Sequence, residues 1–305
     1  MTLRLRLLNV FLRAFEKRHL AREPDPAKLR RSFELKARLF FRPPRGARFK
    51  ELSLGGVPAL DARGAGVTGD GAGVILYFHG GGYVMGSPRT HRAMMAQLSG
   101  LTGRAAILPD YRKAPEHAFP GAVEDALACY RALSDSHGAA RIVIGGDSAG
   151  GGLALALLGE ILRLELPRPA GVFAFSPLTD VTFSGPSFSA NAQADVMLPA
   201  ARARDMEQHY LAGADPRDPR ASPLFAAFKG APPVWICAGT TEILLDDTRR
   251  MAAHLREEGV QVQEVIAPGL PHVWPMFQTT LPEGRETLRE VARWISSLSR
   301  SSPES

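Results

Sequence analysis

Residues Gly146-Asp147-Ser148-Ala149-Gly150 set a serine between glycines, after the apolar run Ile142-Val143-Ile144 and directly before a Leu/Ala-rich stretch of helical composition. A serine on such a strand-to-helix corner has a strained backbone that only small neighbours permit. Its hydroxyl stands exposed at a helix N-terminus, as a nucleophile requires. With 30 Gly and 18 Ser in 305 residues, the bare G-x-S-x-G pattern arises by chance about 0.2 times per chain, so its position after a buried strand carries most of the weight.

A second motif, His79-Gly80-Gly81-Gly82, follows the apolar run Val74-Ile75-Leu76-Tyr77-Phe78. A loop without side chains lets backbone N–H groups approach a substrate oxygen closely, which is what an oxyanion hole demands. By the same arithmetic this motif arises about 0.008 times per chain. Two further candidates come later in the sequence. Glu242 and Asp246 lie in Gly239-Thr240-Thr241-Glu242-Ile243-Leu244-Leu245-Asp246-Asp247, after the run Val234-Trp235-Ile236-Cys237. Of eight histidines, only His272, in Pro271-His272-Val273-Trp274-Pro275-Met276-Phe277, falls in a loop after the last expected strand. Serine, then acid, then histidine is the chain order of an α/β-hydrolase triad, unlike that of chymotrypsin or subtilisin.

These residues need a scaffold that brings strand ends together. Short β-rich runs are expected near 47–54, 56–61, 73–79, 104–109, 141–146, 171–176, 233–238 and 260–267. Helical stretches near 90–101, 120–134, 149–164, 244–258 and 284–299 separate the later ones. Alternation of this kind implies right-handed crossovers and a mostly parallel sheet, here of eight strands, covered by helices on both faces. Its active site belongs at the carboxyl ends of the strands. Residues 178–230 interrupt the alternation with a Pro-, Ser- and Ala-rich insertion that includes a helix near 199–212 and resembles lid material.

The formal charge of +6 is unevenly spread. Residues 1–50 hold 15 Lys/Arg against 4 Asp/Glu, whereas the remainder is net acidic. No aromatic interleaving or reading helix accompanies the basic segment, which argues against nucleic acid. Leu5, Leu8, Leu12 and Phe15 recur at helical spacing, as do Leu29, Phe33, Lys36 and Phe40. Two amphipathic helices ending before Pro43-Pro44 are therefore expected. Arg4, Arg6 and Arg13 break up the first, so it does not read as a secretory signal. No run of 18 uncharged apolar residues occurs, which leaves peripheral membrane contact possible but no stable insertion. Cys129 and Cys237 form neither a disulfide framework nor a zinc motif, so a cytoplasmic location is expected.

Taken together, these motifs resemble the hormone-sensitive-lipase-like (bacterial family IV) carboxylesterases of the α/β-hydrolase superfamily. The resemblance extends over most of the chain from about residue 50 and includes Asp110-Tyr111-Arg112-Lys113-Ala114-Pro115-Glu116-His117. It implies an α/β-hydrolase fold with a helical cap segment at 1–45 and a catalytic domain at 46–305 that carries the cap insertion. It implies catalysis by Ser148, Glu242 and His272, with the backbone amides of Gly81, Gly82 and Ala149 as oxyanion donors. Where the family usually has Asp in Asp-Pro-Leu, this chain has Glu242-Ile243-Leu244, so the acid is either the longer Glu242 or Asp246. Asp246 and Asp247 are expected to lie in a helix and point partly to solvent.

The expected activity is hydrolysis of short- to medium-chain carboxylic esters through an acyl-enzyme, without metal or organic cofactor. A lactone or amide hydrolase would share every catalytic residue. A non-catalytic binding protein on the same fold, as in plant gibberellin receptors that lack the histidine, is disfavoured by His272. Family resemblance also suggests a homodimer through the strand near 260–267, where Val260-Gln261-Val262-Gln263-Glu264-Val265-Ile266 alternates like an edge strand. Gly64-Ala65-Gly66-Val67-Thr68-Gly69 fits the dinucleotide pattern G-x-G-x-x-G but precedes a strand where a helix is required, so a loop is expected. Met94-Met95 and Phe40-Phe41 could line an acyl pocket, although apolar side chains near a cap are more often core.

Overall fold

The computed structural model describes residues 2–298. Met1, residue 299 of the expected last helix, and the final residues of the expected catalytic domain lie outside the described residues. Eight strands form one sheet: β1 Arg48–Leu54, β2 Val57–Arg63, β3 Val74–Phe78, β4 Ala105–Pro109, β5 Ile142–Asp147, β6 Gly171–Phe175, β7 Val234–Gly239 and β8 Val262–Ala267. Their order across the sheet is β1-β2-β4-β3-β5-β6-β7-β8. β1 and β2 pair antiparallel, as do β2 and β4, and every later pairing is parallel. β3 lies beside β5 with Phe78 opposite Gly146.

The helices are α1 Leu3–Phe11, α2 Lys17–Arg22, α3 Pro26–Phe40, α4 Pro88–Thr102, α5 Gly121–His137, α6 Ala149–Arg163, α7 Ser187–Ala190, α8 Ala200–Leu211, α9 Leu245–Glu257 and α10 Pro282–Leu298. The central strands are apolar on both faces because helices cover both. Val74, Leu76 and Phe78 of β3 join the cluster that includes Leu153 of α6 and Met251 of α9. Ile75 and Tyr77 point the other way, to a cluster with Met95 of α4 and Val291 of α10. That is the period-two alternation of a strand buried twice. Local signals set the ends of α4. Ser87 and Thr90 form a capping box, Pro88 takes the first turn, and Gly103 closes the helix in the left-handed conformation.

Two expectations are corrected, both for apolar side chains of the N-terminal helices. α1 and α2 are joined by a π-helical turn at Leu12–Glu16, whose extra residue per turn rotates the stripe, so Phe15 is 65% exposed while Leu20 is buried. Phe40, at the end of α3, is exposed as well. Met94 and Met95 are core against the sheet, the more common role for apolar side chains near a cap. The glycine pattern at 64–69 is a loop leading into β3, with no helix behind it. Among the described residues, no helix is long and apolar enough to cross a membrane.

Candidate active site

At the carboxyl end of β5 the chain turns sharply at Ser148, whose φ is +53°, and enters α6 at Ala149. The corner closes only with glycines. A Cβ on Gly146 would meet the Gly150 carbonyl oxygen at 2.1 Å, and one on Gly150 would meet that of Phe78 at 2.1 Å. Ser148 N–H donates to the Phe175 carbonyl at 2.9 Å, which holds the corner against the next strand.

From the end of β3 the His79-Gly80-Gly81-Gly82 loop runs past this corner. The carboxylate of Asp147, buried beside Ser148, fastens the two together. It accepts from Gly80 N–H at 3.0 Å and from the Tyr77 hydroxyl at 2.8 Å, and His91 Nε2 stands 3.2 Å away. Burial holds His79 well below its usual pKa, and Lys113 and His91 add to this. The neutral ring stacks on Tyr111 at 4.3 Å and donates from Nδ1 to the Gly80 carbonyl at 2.9 Å. Gly81 and Gly82 have φ of +129° and +61°, and a Cβ on either would strike the Met85 carbonyl or the Met206 sulfur. Among the described residues, no hydrogen bond uses the N–H of Gly81, Gly82 or Ala149.

The candidate acid and histidine come from loops after β7 and β8. His272 Nδ1 lies 2.6 Å from Glu242 Oε2, with both side chains buried. Burial pulls the imidazole pKa down, but the hydrogen bond and charge of Glu242 outweigh it and leave His272 above its ordinary value. The other oxygen of Glu242 accepts from the Ser176 hydroxyl at 2.8 Å and from Gly239 N–H.

Asp246, the alternative acid, instead accepts from Ser187 N–H at 2.7 Å and is partly exposed. Asp247 does not point to solvent as expected. It is buried, accepting at Oδ1 from the N–H groups of Thr179 and Asp180 at 2.8 and 3.0 Å.

Ser148, His272, Gly81 and Gly82 line one cavity of about 110 Å³; Ala149 lies just behind, fully buried. Its other walls come from the N-terminal helices, through Leu20, Leu29 and Phe33, and from the insertion, through Met197, Met206 and Tyr210. Tyr210 of α8 stacks on Tyr83 at 3.7 Å. Charged groups on the wall include the ion pair of Lys36 with Glu16, at 2.7 Å, together with Arg202 and Glu207. Among the described residues, no group of three or more His, Cys, Asp or Glu side chains is arranged to hold a metal ion.

Sequence reasoning did not single out three residues that hold the acid loop. Ser176, just past β6, touches Glu242 and accepts Val273 N–H at 3.1 Å. Asn191 donates to the Thr240 and Glu242 carbonyls at 3.2 and 2.8 Å, and Asp195 accepts from Ile243 N–H at 3.0 Å. The only available signal was a polar residue directly after an apolar strand, at Ser176.

A family model described as the alpha/beta hydrolase fold matches residues 75–276. An acetyl-hydrolase of Streptomyces hygroscopicus is 40% identical over 219 residues, covering 72% of this chain and 73% of that protein. The crystal structure of EstE5 soaked with p-nitrophenyl butyrate superposes with a TM-score of 0.91 at 37% identity, over 99% of this chain and 100% of that one. A crystal structure of an esterase from the bacterial hormone-sensitive lipase family gives 0.91 at 34% identity, over 98% and 99%.

Proposed function

The chain belongs to the α/β-hydrolase fold family, in its hormone-sensitive-lipase-like branch of carboxylesterases, and from that premise we propose how its own residues cleave an ester. His272, through Nε2, takes the proton of Ser148, whose oxygen attacks the ester carbonyl carbon. The N–H groups of Gly81, Gly82 and Ala149 hold the oxyanion. His272 then gives the proton to the departing alcohol, and a water repeats the sequence on the acyl-enzyme. Glu242 keeps the imidazole in the required tautomer and supports its positive charge. The observation that carries this reading is the 2.6 Å contact between His272 Nδ1 and Glu242, which leaves Nε2 for the serine lining the same cavity.

The preferred acyl chains are short, about two to eight carbons, because helices close a small apolar cavity rather than leaving an open groove. A name such as acetyl-hydrolase among the relatives, and the butyrate ester soaked into EstE5, agree with that range. Residues 1–45 act with the insertion at about 178–230 as a cap over the catalytic domain, supported by the wall residues both contribute. Pairing of two copies through β8, at the sheet edge, is part of the same proposal. So is a cytoplasmic location, supported by two buried free cysteines. A panel of p-nitrophenyl esters from acetate to palmitate, run beside lactones and anilides, tests the substrate class. Faster turnover of palmitate than butyrate, or of lactones or anilides than esters, would overturn it.

A further inference from the structure

We propose that the outer face of the N-terminal helices docks on an anionic lipid surface, a role separate from the hydrolytic chemistry. Leu3, Leu7 and Val10 of α1 recur at spacings of four and three and share one face, and all three are exposed, Leu3 at 72%. Phe11 and Phe15 continue this face. It runs on to a second helix, because the Phe11 and Phe40 rings meet at 6.1 Å, and Leu35 and Leu39 of α3 are exposed beside them. Eight of the ten large apolar side chains most exposed among the described residues therefore lie in this one segment. Scattered apolar residues need no explanation, but a contiguous patch does.

The charge around the patch selects its occupant. Arg4 and Arg6 flank the α1 face on either side, Arg31 and Arg38 flank that of α3, and all four are exposed. None of the four has an ion-pair partner among the described residues. The segment's acids are engaged elsewhere: Glu16 pairs with Lys36, Glu34 accepts from Ser87, Asp25 caps α3, and Glu23 accepts from Asp25 N–H. An apolar stripe edged by free arginines matches the acyl and headgroup layers of an anionic membrane, whereas a second copy would bring like charge against like. The opposite side of α3 presents Leu29 and Phe33 to the cavity, and Leu20 of the neighbouring α2 lines it as well. Docking would thus set the cavity beside the lipid phase.

The test is cosedimentation of the full chain with vesicles of phosphatidylcholine alone and with about 30 mol % phosphatidylglycerol. Binding to the anionic vesicles only, lost in about 0.5 M salt, is expected. Replacing Arg4, Arg6 and Arg38 together with Gln should weaken it on the order of a hundredfold. Replacing Leu7, Val10 and Leu39 with Ser should weaken it at least about tenfold while leaving thermal unfolding unchanged, since all three are exposed. Absence of binding, or equal binding to neutral vesicles, would overturn the proposal. So would a dimer in light scattering that the Leu7, Val10 and Leu39 substitutions return to monomer. The readout is binding, not turnover, so a negative result leaves the ester-hydrolase reading untouched.

Discussion

The Ser176 hydroxyl donates to Glu242 at 2.8 Å, and its oxygen accepts the N–H of Val273, the residue after His272. One buried hydroxyl therefore holds both the carboxylate and the backbone next to the imidazole. Ser176→Ala leaves a buried N–H and a carboxylate oxygen short of partners, costing about 1–3 kcal/mol in stability. Turnover of p-nitrophenyl butyrate should fall about tenfold through kcat, with KM little changed. An unchanged kcat in a folded variant would show that Gly239 alone suffices to hold Glu242.

The acid is tested by a pair of substitutions. Glu242→Gln should lower kcat by up to about 10⁴-fold, because the imidazole loses both its tautomer control and its charge partner. Asp246→Asn should lower it less than about twofold, since an amide oxygen can still accept from Ser187. The pH profile gives an independent sign. Glu242 raises the pKa of His272, and the reaction needs the neutral base, so kcat/KM rises as pH climbs through that raised value. The residual activity of Glu242→Gln should show this acid limb displaced to lower pH.

Asp247 governs stability rather than chemistry. Burial pushes its pKa up to about 7, against the opposing hydrogen bonds from Thr179 and Asp180. The folded state then holds a proton that the unfolded state releases near 4. Stability is fully present below the unfolded value and falls as pH rises through about 7, by up to roughly 4 kcal/mol. Asp247→Asn should keep near-normal turnover and flatten this fall, read as Tm at pH 5 and pH 8. A Tm in the variant that still declines with the native slope would assign the titration elsewhere.

Deleting residues 2–42 should leave a folded sheet, because the Pro43-Pro44 break precedes β1. It removes Leu20, Leu29 and Phe33 from the cavity wall and the Lys17 links to the Ala192 and Asp195 carbonyls. Activity on butyrate should drop at least about tenfold, with a lower Tm. Full activity on every ester tested would remove the cap role from this segment.

The sequence carried the strands well where apolar runs were continuous. Val74–Phe78 and Ile142–Asp147 fall within a residue or so of their expected limits, because burial on both faces writes itself into every position. The π turn at Leu12–Glu16 left no such mark, and it turned Phe15 outward against the helical spacing. Chain order and motif were enough to name Ser148, Glu242 and His272 as candidates. Spacing alone left Asp247 looking half exposed, because the partners that bury it, Thr179 and Asp180, are 67 or more residues away in sequence.

The pairing of Phe78 with Gly146 has a consequence for how this site could diverge. The glycine loop and the serine corner leave adjacent strands at opposed positions of one ladder, so backbone spacing of about 4.8 Å sets their separation and the Asp147 carboxylate ties Gly80 to the corner. The cavity walls contributed by the π turn, α2, α3 and the 178–230 insertion supply no rung of that ladder. Selection can redraw which substrate fits by swapping those walls, while the spacing between the serine corner and the glycine loop, on which the proposed oxyanion donors depend, is inherited unchanged.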